Sequence, residues 1–198
     1  MAILLTNPAL SVASEGLPHK TWTRPEVEIL ESAGRFAGHH YELIDGELIA
    51  KMGKERKHVL RLKETVMALE DVFGRDHVNS EAPIDVALED NLRNEPEPDV
   101  TVLRRRSREI EGNPRPEDIA LAMEISGSTL RHDLRAKASL YARAGMPEYW
   151  VLDVNARRLH VLREPSGGIY QTHFEVEETD SVTPLTSSTS IAVASLLA

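Results

Sequence analysis

The chain has 198 residues, a net charge of −9 and no cysteine. That length suits one well-buried domain rather than two, and the missing cysteines exclude disulfides and thiolate chemistry, so any metal must bind oxygen or imidazole. With 41% hydrophobic and 28% charged residues, and no apolar run near the roughly 18 residues of a membrane span, an ordinary globular protein without a membrane partner is expected, in the cytoplasm.

The stretch MAILLTNPALSVA is apolar but lacks a basic n-region, so residues 1–20 read as a flexible arm rather than a signal peptide, with 21–198 as the folded domain. Thr23, Pro25 and Glu26 compose a capping box with proline in the first turn, predicting a helix through Val27, Ile29 and Leu30 to Gly34. YELIDGELIA alternates on both sides of Asp45-Gly46, the signature of a hairpin whose tight turn needs positive φ. Glu42 and Asp45 read there as solvent-facing or turn residues. From Glu55 to Phe73, Val59, Leu62, Val66, Leu69 and Val72 recur at helical spacing before Gly74, and His58 reads as a surface or capping residue. APIDVALED alternates like a half-buried strand, and NLRNEPEP follows as a loop.

PDVTVL and LAMEIS are short and rich in branched apolar residues, the composition of buried strands. RRRSREIEGNPRPED between them is a surface connection punctuated by glycine and proline. Ser128 or Thr129 then opens a helix ending at Gly145, on which Asp133, Lys137 and Tyr141 are spaced to share a face. EYWVLDV and LHVLRE are strands turning near Asn155-Ala156, GIYQTHFEV is a third, and TDSVTPLTSSTS is a loop before a terminal strand or short helix in SIAVASLL.

Each of the two central strands carries a carboxylate its apolar pattern does not need, Asp99 at the start of one and Glu124 within the other. A buried charge costs several kcal/mol unless it is paired or holds a metal. Two acids on neighbouring strands beside Lys137 therefore suggest a divalent-metal phosphodiesterase centre, because hard cations such as Mg²⁺ or Mn²⁺ favour carboxylate oxygens. The competing reading has Asp99 capping a strand end, Glu124 paired with an arginine, and Asp133–Lys137 forming a surface ion pair. Ser128, His132 and Asp133 lie too close along one helix start for a hydrolase triad, and 5% aromatics is little for a sugar-binding cleft. The acidic balance is awkward for a protein that grips nucleic acid, so a local basic surface is needed. Arg104, Arg105, Arg106 and Arg108 form the clearest cluster, and Lys51, Lys54, Arg56 and Lys57 another, although both also fit solvated loop or helix-end charges.

The order YELIDGELI, a helix with an early histidine, EPDV, MEIS-x-ST, D-x-x-x-K-x-x-x-Y and AGMPEYWVLDV resembles the Uma-type family of restriction-endonuclease-like proteins in the PD-(D/E)xK nuclease superfamily. The resemblance spans Thr21 to Leu197. It implies an α/β fold: one restriction-endonuclease-like domain with a mixed, bent central β-sheet flanked by α-helices. It also implies Asp99 and Glu124 as metal ligands, Glu42 as the acid contributed before the core strands, and Lys137 as a migrated catalytic lysine. The superfamily pattern places lysine two residues after the second acid, where this chain has Ser126. The expected function is a Mg²⁺- or Mn²⁺-dependent endonuclease acting on DNA, in a possible homodimer. The alternative is a catalytically weak or inactive binding or assembly module on the same fold.

Overall fold

This computed structural model describes residues 19–51 and 56–197. The arm expected over residues 1–20 lies, up to residue 18, outside them, as does Lys54. Helix α1 (Arg24–Ser32) starts as its capping box predicts: the Glu26 carboxylate accepts from the Thr23 amide at 3.0 Å and its hydroxyl at 2.9 Å. Strands β1 (His40–Ile44) and β2 (Glu47–Lys51) form the expected hairpin, and its two turn residues, Asp45 and Gly46, hold φ of 48° and 82°. An added Cβ at Gly46 would lie 3.0 Å from Thr21 Cβ and 3.3 Å from the Trp22 carbonyl. Gly46→Ala should therefore destabilise the protein by about 1–2 kcal/mol in urea titration, from the left-handed backbone and this crowding together.

Helix α2 (Arg56–Phe73) follows, ending at Gly74, and β3 (Val78–Ser80), β4 (Val100–Leu103), β5 (Ile119–Ser126), β6 (Glu148–Asp153), β7 (Arg158–Ser166) and β8 (Ile169–Glu177) make one sheet in chain order. Only β5 and β6 are parallel; the other neighbours are antiparallel, so the sheet is mixed as expected. The parallel pair needs a crossover, supplied by one continuous helical stretch: α3 (Leu130–His132), a π-helical segment (Asp133–Lys137) and α4 (Ala138–Arg143). Strands β9 (Ser181–Val182) and β10 (Ile191–Ala192) pair apart from the main sheet, and α5 (Val193–Leu196) ends the described chain, so the terminal segment is both strand and helix.

Alternation along the strands divides the core in two. Val100, Val102, Met123, Ile125, Trp150 and Leu152 pack with Leu62 and Leu69 of α2 and Leu196 of α5. Ala122, Tyr149, Val151 and Leu162 pack on the other side with Leu140 and Tyr141 of α4 and Ile44 of the hairpin.

Two expectations need correction. APIDVALED joins no sheet: Ile84 and Val86 are buried, but the Ile84 amide donates to the Pro96 carbonyl and that of Asp85 to Pro114. Its alternation reflects burial against loops, which carry no ladder. The edge of the sheet is instead the short β3, hidden in a polar stretch without alternation. Val59 also departs from the helix reading, being 45% exposed, because the buried face of α2 passes through Leu62, Thr65 and Leu69.

Candidate active site

The strand register builds the site. Val100 pairs with Met123, so one further step along the antiparallel ladder sets Asp99 opposite Glu124. On the other side Ser80 pairs with Val100, and the Glu81 amide donates to the Asp99 carbonyl at 3.1 Å. Glu81, Asp99 and Glu124 thus form a row across β3, β4 and β5 at one end of the sheet. The Asp99 carboxylate accepts from the Ile125 amide at 2.6 Å and lies 3.6 Å from His58 Nε2. Burial would raise its pKa, but the neighbouring His58 and the Ile125 amide hydrogen bond outweigh burial and lower it.

Glu124 is buried at 4% exposure, and its Oε1 accepts from Lys137 Nζ at 2.9 Å and from the Tyr141 hydroxyl at 3.2 Å. Lys137 also reaches both Glu42 oxygens, at 3.1 and 2.8 Å. Asp133, Lys137 and Tyr141 are all buried, as their shared face requires. The π-helical segment adds a residue to the turn between Asp133 and Lys137, a device frequent at functional sites. Asp133 does not form the surface pair with Lys137: it accepts from the Ser126 hydroxyl and, at 2.8 Å, from that of Thr129. Ser126, standing where the superfamily pattern has lysine, thereby ties the end of β5 to the crossover helix.

Burial alone would discharge Lys137, but Glu124 and Glu42 reverse that and raise its pKa above the lysine range. Burial likewise pushes the Glu124 carboxyl well up; Lys137 opposes it, and Asp99, Asp133 and Glu42 add to it. Burial, then the Glu124 charge, raises the Tyr141 phenol, so it is a neutral hydrogen-bond donor.

The hairpin brings Glu42 to the cluster because Glu42 and Ile44 point to the same side of β1, and Ile44 is anchored in the core. Glu42 is 2% exposed, which corrects its reading as a solvent-facing residue. It also pairs with Lys51 at 2.9 Å, while Lys51 donates to the Glu97 carbonyl at 2.7 Å. Lys51 is therefore part of the buried network rather than a solvated loop charge; burial lowers its pKa, and Glu42 and Glu124 more than restore it.

His58 and Glu81 join the site as well. Among the described residues, His58, Glu81 and Asp99 form a group whose potential ligand atoms all lie within 4.8 Å of one another. This corrects the surface or capping reading of His58. The signal was present in the sequence: His58, Leu62, Thr65 and Leu69 form one helical stripe, and the last three are buried. Glu81 carried no such signal.

The arginine cluster is elsewhere. Arg104 to Arg108 follow the end of β4, so its four residues separate them from Asp99 by ~13 Å. Arg105 bonds Asp118 at 3.0 and 2.6 Å, and Arg108 lies 3.7 Å from Asp76. With Arg115, Glu109 and Glu117, Arg104 and Arg105 line a polar cleft of about 710 Å³, whose acids dilute its positive charge.

A family described as "Uma2: Putative restriction endonuclease" matches residues 25–194. Among solved structures, the chain resembles one described as a "putative nuclease belonging to DUF820" from Anabaena variabilis, with a TM-score of 0.58 and 18% identity over 79% of this chain and 89% of that one. At that identity the likeness is one of fold. No curated protein matches.

Proposed function

The chain belongs to the Uma2 family, and from that premise we propose that it is a metal-dependent endonuclease hydrolysing phosphodiester bonds of DNA. One observation carries the reading: a buried ammonium, Lys137, held by Glu124 and Glu42 beside a strand-borne row of acids that includes Asp99. Asp99 and Glu124 would hold Mg²⁺ or Mn²⁺; what supports an ion there is that Asp99 gathers with Glu81 and His58, two carboxylates beside an imidazole, a donor set that fits such an ion. When bound, the ion supplies a lowered water pKa and offsets charge growing on phosphate oxygen.

The chain's own residues have distinct parts. With its pKa raised, Lys137 stays protonated and cannot act as a base; it orients water and stabilises charge developing on the phosphate. Glu42, shared between Lys137 and Lys51, fixes the ammonium in place. Tyr141 holds the Glu124 oxygen that Lys137 also contacts. In hydrolysis a water oxygen bonds to phosphorus and the bond from phosphorus to one sugar oxygen breaks. The attacking water releases a proton to solvent, and the leaving oxygen takes one from it. A homodimer with one site per chain would serve both strands.

A net charge of −9 and a basic cluster at the far end of β4 favour a second reading, a binding or assembly module on the same fold. The test is cleavage of supercoiled plasmid, linear duplex, single-stranded DNA and RNA during titration with Mg²⁺ or Mn²⁺. Metal-dependent cleavage of DNA is expected, falling at least about 10²-fold in Asp99→Ala. Equal cleavage by that variant would overturn the assignment of Asp99, and binding without cleavage would transfer the protein to the second reading.

A further inference from the structure

Resting on that reading, we propose that His58 and Glu81 are ligands of the same cation as Asp99, and that this mixed imidazole–carboxylate set selects Mn²⁺ over Mg²⁺. The three side chains come from separate elements that the fold drives together. His58 sits in the first turn of α2, Glu81 follows β3, and Asp99 precedes β4. Leu62 and Leu69 anchor α2 on the sheet beside Val100 and Val102, which carries His58 to the sheet end where Asp99 emerges.

Their spacing suits one ion. Adjacent ligands at ~2.1 Å from an octahedral centre lie about 3 Å apart, and opposite ones about 4.2 Å. His58 Nε2 stands 3.6 Å from Asp99 Oδ1, and all three potential ligand atoms fall within 4.8 Å. The 3.6 Å between His58 and Asp99 lies between those two octahedral separations. His58 keeps a 30% exposed side chain, so an ion can enter from solvent.

Glu81 is held at that position at a cost. Its φ is 49°, a left-handed conformation costing a non-glycine residue about 1–2 kcal/mol. Its amide N–H donates to the Asp99 carbonyl, which holds this bend at the level of Asp99, and a Glu81 carboxylate oxygen lies within 4.8 Å of the Asp99 and His58 ligand atoms. Mg²⁺ demands hard oxygen donors and dehydrates reluctantly, whereas Mn²⁺ accepts imidazole readily alongside carboxylate. An imidazole in the ligand set therefore distinguishes the two ions even where the carboxylates do not.

The test reads the metal directly and uses no nucleic acid, so its outcome is independent of whether the protein cuts. Mn²⁺ is titrated into the full chain and into His58→Gln, Glu81→Gln and Asp99→Asn, with binding followed by electron paramagnetic resonance. Pulsed spectra record whether a nitrogen nucleus couples to the ion, and Mg²⁺ affinity is taken by competition. Circular dichroism confirms that each variant is folded. A ¹⁴N coupling is expected in the full chain and its loss in His58→Gln, with Mn²⁺ affinity lowered about tenfold or more and Mg²⁺ affinity changed less. Glu81→Gln should weaken both ions. Mn²⁺ bound without nitrogen coupling, yet lost in Asp99→Asn, would overturn the role of His58 while leaving Asp99 as a metal ligand. Failure of the full chain to bind Mn²⁺ would overturn the ligand set altogether.

Discussion

Lys137→Ala is expected to lose about 3–5 kcal/mol of folding stability, the cost of removing one partner from a buried ion pair. The lysine is 4% exposed and sits between Glu124 and Glu42, so its loss leaves two buried carboxylates facing each other. The variant should therefore not fold normally, as a surface lysine variant would. Urea titration across pH tests the sign. The folded pKa of Lys137 is raised, so its stabilisation is fully present below the ordinary lysine value of 10.5 and is lost only as pH climbs through the folded value. The wild-type protein thus loses nothing from this group near neutrality. In the variant the deficit should shrink as pH falls, because protonation of Glu124, whose pKa burial already raises, relieves the repulsion. A deficit independent of pH would mean that the loss is one of packing alone. Cleavage measured where the variant is folded should fall by about 10² or more, the scale of one electrostatic contact to the transition state.

An equal loss of stability, with no loss of the site, is expected from Arg163→Ala. Glu148 is fully buried; its Oε1 accepts from Arg163 at 2.8 and 2.6 Å and from the Trp150 indole at 2.9 Å, and its Oε2 from the Leu185 amide at 2.7 Å. Without Arg163 that carboxylate is buried without its counter-charge, again costing about 3–5 kcal/mol. Glu148 starts β6, whose register places it at the end of the sheet away from Glu124. Mn²⁺ affinity and cleavage per folded molecule should therefore match the wild-type protein, whereas Lys137→Ala loses cleavage, and this contrast separates structural ion pairs from those of the proposed site. Replacing both residues by methionine should recover much of the stability, since an apolar pair leaves no unpaired charge. A double variant as weak as Arg163→Ala would show that the hydrogen bonds to Trp150 and Leu185, rather than the charge, are what the pair protects.

What the sequence by itself determined is what local chemistry encodes. Thr23 and Glu26 are three residues apart and meet in one turn; Asp45-Gly46 supplies positive φ where it stands; PDVTVL, LAMEIS and EYWVLDV are apolar enough to be strands in any context. The face shared by Asp133, Lys137 and Tyr141 follows from helical spacing, and all three are buried; family resemblance added only an expected role for Asp99, Glu124 and Glu42.

The tertiary structure alone decided which charges meet. Glu42 and Lys137 are 95 residues apart, and nothing local distinguishes a buried Glu42 from a solvated one. Lys51 and Glu81 owe their places to the docking of the hairpin and to the β3–β4 register, which no nearby residue specifies. The same lack of local information let APIDVALED alternate without being a strand, and it left the arginine cluster near Asp99 in sequence but a strand's length away in space. A side chain's partners are set by the sheet register and by which helix covers which face. Both are fixed by the sum of apolar burial across the whole chain, which short-range pattern does not contain.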